Sequence, residues 1–239
     1  MTRVSVAQIL PHGRRRDVSR NAISPQRSCD FPSNSCGSAP GTALAYVVTI
    51  MSGMSGAGVK LTYEDFLLFP DDGKRHELID GERYVTPSPG TRHQRISGNL
   101  YWFIRSHLEQ NPVGEVFSAP YDIVLSNFDV VVPDLIYLSH ERAKTVITEK
   151  HARGAPELII EIASKGTRKR DETVKRRLYE RSGVDEYWVV DTEIDSMRIY
   201  RRADAGYGRA VELFRDNDDV LETPLLPRLR LPLASIFKP

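Results

Sequence analysis

From residue 60 onward the chain switches repeatedly between a hydrophobic period near 3.6 and one of two, and the switches mark out its elements. Thr62-Tyr-Glu-Asp65 has the form of a capping box ahead of Phe66, Leu67 and Phe69, which predicts a short helix stopping near Pro70. His76 to Thr86 reads as two strands folded at Asp80-Gly81. Between Thr91 and Gln110, Ile96, Leu100, Phe103, Ile104 and Leu108 fall at helical spacing and predict a long amphipathic helix. Gly114 to Ser126 and Val130 to Ser139 read as strands joined by a turn at Asn127. After a polar connection, Pro156 to Ala163 is a dense β-branched run, Asp171 to Ser182 a helix, and Glu186 to Asp191 another buried strand. Ser196 to Arg202 and Ala210 to Phe214 flank the Gly-rich Ala205 to Gly208 as a hairpin, and the tail, with Pro224, Pro227 and Pro232, is expected to wrap the surface. Helices alternating with strands give an α/β class.

Residues 1 to 58 lack either period, mixing Ser, Pro, Gly and Arg, and read as a disordered leader ahead of a domain over 59 to 239. Met51 and Met54 stand just before the first periodic segment, so translation is expected to start at one of them; the competing reading is a basic arm that grips nucleic acid. Residues 1 to 59 hold six of the 33 basic and two of the 32 acidic side chains, so the whole-chain charge of +1 becomes −3 for the remainder. A globally basic coat for nucleic acid is thereby excluded, and phosphate binding must come from a local patch or a metal. Cys29 and Cys36 both lie in the leader, which excludes a disulfide scaffold or a Cys-based zinc site in the domain. The longest apolar run, Ala43 to Met51, is too short to span a membrane, and a cytoplasmic protein is expected.

The candidate chemistry lies in two strands and a helix. In Val130-Val-Val-Pro-Asp134-Leu-Ile-Tyr-Leu138 the period of two places Asp134 on a face with Val130, Val132, Ile136 and Leu138. In Glu157-Leu-Ile-Ile-Glu161-Ile-Ala163 it groups Ile159, Glu161 and Ala163 against Leu158, Ile160 and Ile162, the mark of a central strand. A carboxylate buried there costs several kcal/mol unless it meets a cation, a proton or a hydrogen-bond donor. Two such carboxylates in neighbouring strands point to a divalent ion. Asp171, Lys175 and Tyr179, spaced by four, form one stripe of the following helix beside Val174 and Leu178, so Lys175 can reach the edge of the sheet. Two metal-holding carboxylates with an ammonium beside them are the minimum equipment for phosphodiester hydrolysis.

The motifs His76-Glu-Leu-Ile-Asp-Gly-Glu82, Arg92-His-Gln-Arg95, Val132-Pro-Asp134-Leu, Glu157-Leu-Ile-Ile-Glu161-Ile and Gly183-Val-Asp-Glu-Tyr-Trp-Val-Val-Asp191 occur in order. From about Leu61 to its end the chain resembles the Uma-two family of restriction-endonuclease-like proteins, in the PD-(D/E)xK nuclease superfamily. The resemblance implies a restriction-endonuclease-like αβββαβ core, extended by an N-terminal helix and hairpin and a C-terminal β hairpin. It implies an endonuclease acting on DNA with Mg2+ or Mn2+, Asp134 and Glu161 as metal ligands, and a homodimer wherever both strands of a duplex are cut. The plain signature has Lys two places after Glu161, where this chain has Ala163; by the likeness, that lysine has moved to the next helix as Lys175. Glu77 resembles the additional acidic residue of these proteins and is a candidate second metal ligand.

Each residue also has a plainer reading. Asp134 can end a strand after Pro133, and Glu161 with Lys175 can form a buried structural ion pair, leaving a binding module for nucleic acid or protein on a vestigial nuclease fold. The cluster of Arg168-Lys-Arg170 with Arg176, Arg177 and Arg181 is either a phosphate-facing patch or a solvated helix face. His93 is either a substrate-orienting group or a surface histidine, whereas Tyr187 and Trp188 read as core.

Overall fold

The computed structural model describes residues 59–238. The leader expected over residues 1 to 58, with both cysteines, lies outside the described residues. The first element, α1 (Tyr63–Phe66), carries the expected capping box: Asp65 donates its N–H to the Thr62 hydroxyl while its carboxylate accepts from the Thr62 N–H at 2.8 Å. β1 (Arg75–Ile79) and β2 (Glu82–Thr86) then pair antiparallel through Asp80 and Gly81, whose φ values of 52° and 77° suit a type I′ turn. A Cβ at Gly81 would stand 2.5 Å from the Lys60 Cβ, so the turn demands glycine sterically as well. α2 (Thr91–Gln110) buries Ile96, Leu100, Ile104 and Leu108, each worth about 1.5–3 kcal/mol of burial.

Two of the expected strands break, each at a proline. Gly114 to Ser126 divides into β3 (Gly114–Ser118) and β4 (Ile123–Ser126) around Pro120, and Val130 to Ser139 into β5 (Asp129–Val131) and β6 (Leu135–Ser139) around Pro133. Proline has no N–H for a ladder, and at each break the chain crosses from one sheet to another. Asp134 consequently stands in the connection between sheets and not on the face of a continuous strand. The polar connection after β6 contains a further helix, α3 (His140–Val146), capped by Ser139, and a short strand, β7 (Ala152–Arg153).

β8 (Leu158–Ala163) and β9 (Glu186–Asp191) are buried along their whole length and pair in parallel, as a crossover through a helix requires. That helix, α4, runs over residues 168–182, starting three residues before the expected Asp171, and is π-helical from Asp171 to Lys175. It stops at Gly183, whose φ of 91° is the left-handed cap that glycine adopts freely. β10 (Ser196–Ala203) pairs with β9 on one side and with β11 (Gly206–Tyr207) and β12 (Val211–Phe214) on the other, which is the expected C-terminal hairpin with a short extra strand. β13 (Val220–Leu221), β14 (Leu231–Pro232) and α5 (Leu233–Ile236) complete the chain.

The main sheet runs β11-β10-β9-β8-β6-β3, and a smaller one β2-β1-β5-β4-β7. α2, β3, β6, β8, α4 and β9 make an αβββαβ core in chain order. Leu158, Ile160 and Ile162 join the core under α2, while Ile159 and Ala163 join the one shared with α4 and the smaller sheet, so the alternation expected for β8 holds. The tail departs from expectation. Its prolines are not buried, but Leu226, Leu229, Leu231, Leu233, Ile236 and Phe237 are buried against α2 and belong to the core. Among the described residues no helix is long and apolar enough to cross a membrane.

Candidate functional site

Asp134, Glu161 and Lys175 come from the β5–β6 connection, β8 and α4, and line one cleft of about 220 Å3 together with Arg75, His93, Arg170 and Asp171. Glu77, Asp134, Glu161 and Lys175 are 0%, 3%, 4% and 2% exposed, so every charge among them needs a partner inside the protein. Both oxygens of the Asp134 carboxylate are hydrogen-bonded. Its Oδ1 accepts from Arg75 Nη1 at 2.9 Å, and its Oδ2 accepts from the Ile162 backbone N–H at 2.8 Å and from His93 Nε2 at 3.1 Å. Burial by itself would raise the pKa of this group, but His93 and then Arg75 outweigh burial and hold it at about 2. Asp134 is therefore ionised at neutral pH.

Glu161 is tuned the other way. Its Oε1 accepts from Lys175 Nζ at 2.8 Å and Tyr179 Oη at 2.7 Å, while Oε2 has no protein donor among the described residues. Burial pushes its pKa up to about 8; Lys175 opposes the rise, and the neighbouring carboxylates Asp134, Asp171 and Glu77 add to it. Burial likewise favours the neutral form of Lys175, yet Glu161, Glu77 and Asp171 together raise its pKa and keep the ammonium. Four carboxyls thus face three fixed cations, Lys175, Arg75 and Arg170, and burial raises the pKa of both Glu161 and Asp171.

Glu77 takes a different place from the one expected of a second metal ligand. It lies behind Lys175 and is not part of the cleft wall: its Oε1 accepts from Lys175 Nζ at 2.8 Å and from the Val132 N–H at 3.1 Å. Its Oε2 is buried without a hydrogen bond, 3.9 Å from Arg170 Nη2. Lys175 is in this way clamped between β1 and β8. The π-helical stretch ends on Lys175, and such bulges often mark functional sites because they re-aim side chains that a regular helix would point elsewhere.

Arg75 was not singled out in the sequence, although the period of two along β1 puts it on the same face as Glu77. The basic cluster of α4 divides. Arg168 pairs with Asp191 and Arg181 with Asp129, Arg176 stacks over Tyr200, and Arg170 turns into the cleft, where it donates to Thr86 Oγ1 at 2.7 Å. His93 sits in the site wall with Nδ1 unpartnered, and Tyr187 and Trp188 are fully buried core.

Residues 63–234 match the model of a family described as "Putative restriction endonuclease", Uma2. The chain belongs to the Uma2 family. Membership indicates a nuclease. A crystal structure described as "a putative nuclease belonging to DUF820 from Anabaena variabilis" is similar in fold to this Uma2 protein, with a TM-score of 0.63 at 19% identity over 74% of this chain and 97% of that one. The mixed α/β, restriction-endonuclease-like architecture expected from the sequence is thus the observed one. No curated protein matches the chain.

Among the described residues no group of three or more His, Cys, Asp or Glu side chains is arranged to hold a metal ion. The donor chemistry nevertheless fits a hard cation. Mg2+ commonly takes only one or two carboxylates and completes its shell with waters and substrate phosphate, and here Asp134 and Glu161 open on one cleft, with Glu161 Oε2 free and its carboxyl short of positive charge.

Proposed function

We propose that this Uma2 protein is a metal-dependent endonuclease that hydrolyses phosphodiester bonds of DNA, with Asp134 and Glu161 holding Mg2+ or Mn2+. The observation that supports this reading most is the convergence of Asp134, Glu161 and Lys175, from three separate elements, on one cleft. When bound, the ion supplies a Lewis acid that polarises a phosphoryl oxygen and acidifies water. Asp134, ionised and fixed by three hydrogen bonds, provides a permanent anionic anchor. Glu161 gives up its proton as positive charge arrives and is oriented by Tyr179. Lys175 steadies the negative charge that develops on the phosphoryl oxygens, and Glu77 positions its ammonium. Arg75 and Arg170, on the cleft wall, compensate the charge of the entering phosphate. One such site cuts one strand, so cleavage of both strands of an intact duplex would take a homodimer.

A second reading is favoured by the same hydrogen bonds. Lys175 is already shared by two carboxylates and Asp134 is already neutralised by Arg75, as in a purely structural ion network on a binding module for nucleic acid or protein. The test is incubation of the purified protein with plasmid and oligonucleotide panels under Mg2+, Mn2+ or chelator, with calorimetry of ion binding in parallel. Ion-dependent cleavage that Asp134→Ala and Glu161→Ala abolish together with ion binding supports the nuclease; a folded protein that neither binds the ion nor cuts overturns it.

A further inference from the structure

A second groove, of about 520 Å3, adjoins the catalytic cleft, and the two share Arg75 and segment 86–89 as a common wall. We propose that this groove holds an unpaired nucleobase of the strand whose phosphate enters the cleft, so that the substrate is single-stranded DNA. The inference rests on the nuclease reading and specifies its substrate.

Depth is the first argument. The carboxylates of the site are almost wholly buried, and the cleft above them holds only about 220 Å3. A duplex is a stiff rod, costly to deform, that keeps its bases stacked inside and its phosphates on a convex outer surface. An unpaired strand, by contrast, can turn a single phosphate inward. Doing so swings the adjoining base out of any stack, and that base needs a place next to the cleft.

The groove has the mixed chemistry of such a place, with Lys74, Arg75 and His76 on its wall beside apolar and hydrogen-bonding groups. Phe66, Phe69 and Pro120 give it apolar surface, and Phe69 is held firmly, with the Arg83 guanidinium 4.5 Å from its centroid and the His76 ring edge-on at 5.8 Å. Between these surfaces stand the Gln94 amide, able to donate and accept, and the carboxyl of Asp122. Asp122 is partly buried, burial raises its pKa against the opposing effect of His151, and among the described residues no hydrogen bond reaches its carboxyl. An exocyclic amino group of a base, which presents N–H donors beside a flat π face, would satisfy the carboxyl and pack on the apolar wall.

The experiment is fluorescence anisotropy of a labelled oligonucleotide and of its duplex, with EDTA present to prevent hydrolysis. The single strand should bind at least about tenfold more tightly than the duplex, and Asp122→Asn and Gln94→Ala should each weaken single-strand binding at least about threefold. Trp102→Ala, on exposed α2 surface that lines neither cavity, should bind as the parent does. Circular dichroism of the variants checks that each remains folded. Equal affinity for strand and duplex, or parental binding by both groove variants, would overturn the proposal. Hydrolysis of bis(p-nitrophenyl) phosphate in Mg2+ separates the two levels of the argument. Hydrolysis without strand discrimination keeps the nuclease and removes the base pocket, whereas discrimination without hydrolysis under any divalent ion keeps the pocket and removes the nuclease.

Discussion

Asp134 accepts the backbone N–H of Ile162 at 2.8 Å, which fastens the connection after Pro133 to the strand that carries Glu161. The same carboxylate is at once the proposed ion anchor and a cross-link between the two halves of the site.

Removing it should therefore show in stability as well as in activity. Asp134→Ala leaves the Ile162 N–H without its acceptor and the Arg75 guanidinium without its carboxylate, and should cost about 3–5 kcal/mol. Asp134→Asn, which still offers an oxygen to the N–H, should cost less while abolishing turnover. Urea midpoints of the two variants against the parent decide the matter; equal midpoints would mean that the bond is energetically idle.

Lys175 separates catalysis from structure. If its ammonium stabilises the transition state, Lys175→Met should lower the rate per folded molecule by about two to three orders of magnitude while ion binding survives. If it serves only to neutralise Glu77 and Glu161, stability should fall by about 3–5 kcal/mol, and activity only in step with the folded fraction. A folded variant cleaving at the parental rate would end the case for a lysine transferred to α4.

Asp134 and Glu161 give opposite pH signatures without divalent ions. Glu161 titrates near 8 in the folded protein against 4.5 for a free side chain, so the folded state keeps its proton longer than the unfolded one. The resulting stabilisation is present below pH 4.5 and is lost as pH rises towards 8, with a slope of at most about 1.4 kcal/mol per pH unit. Asp134, held at about 2 against 3.8, stabilises above pH 3.8 and loses that contribution as pH falls towards 2. Denaturation curves between pH 5 and 8 (~3 units) should flatten in Glu161→Gln; an unchanged slope would remove Glu161 as its source.

Tyr179→Phe tests the tuning of Glu161 with the carboxylate retained. The lost hydrogen bond at 2.7 Å favours the ionised form, so its removal should raise the Glu161 pKa further. Because an ion binds the ionised form, the pH of half-maximal Mn2+ binding in calorimetry should move upward. A shift downward, or none, would show that the tyrosine does not control this proton.

Much of this was legible in the sequence wherever one period governed one element. The alternation in β8 placed Glu161 on the α4 side, and the Asp80-Gly81 turn and the four buried positions of α2 were readable in the same way. Legibility failed where tertiary structure outweighed local pattern. A single alternating run from Val130 to Leu138 gave no account of the sheet change at Pro133, and the tail prolines hid six buried apolar side chains that complete the core under α2. In the site, each carboxylate could be found by its improbability in an apolar strand. The partners of Arg75 and Arg170 were not legible, because they lie 59 and 84 residues away.

The placement of Lys175 on α4, where β8 carries Ala163, changes what holds the site in tune. On a strand, the separation of an acid and a base two positions apart is set by bond lengths and pleat and survives nearly any disturbance. Between Glu161 and Lys175 it is set by the seat of a helix that enters through the exposed turn at residues 164–166 and carries a π-helical kink of its own. A partner pressing on that turn, or a one-residue deletion that restores a regular helix, would rotate the ammonium away from its carboxylates and leave every acidic residue untouched. The spacing of Glu161 and Lys175 is therefore a property of how the helix is seated and not of the strand alone.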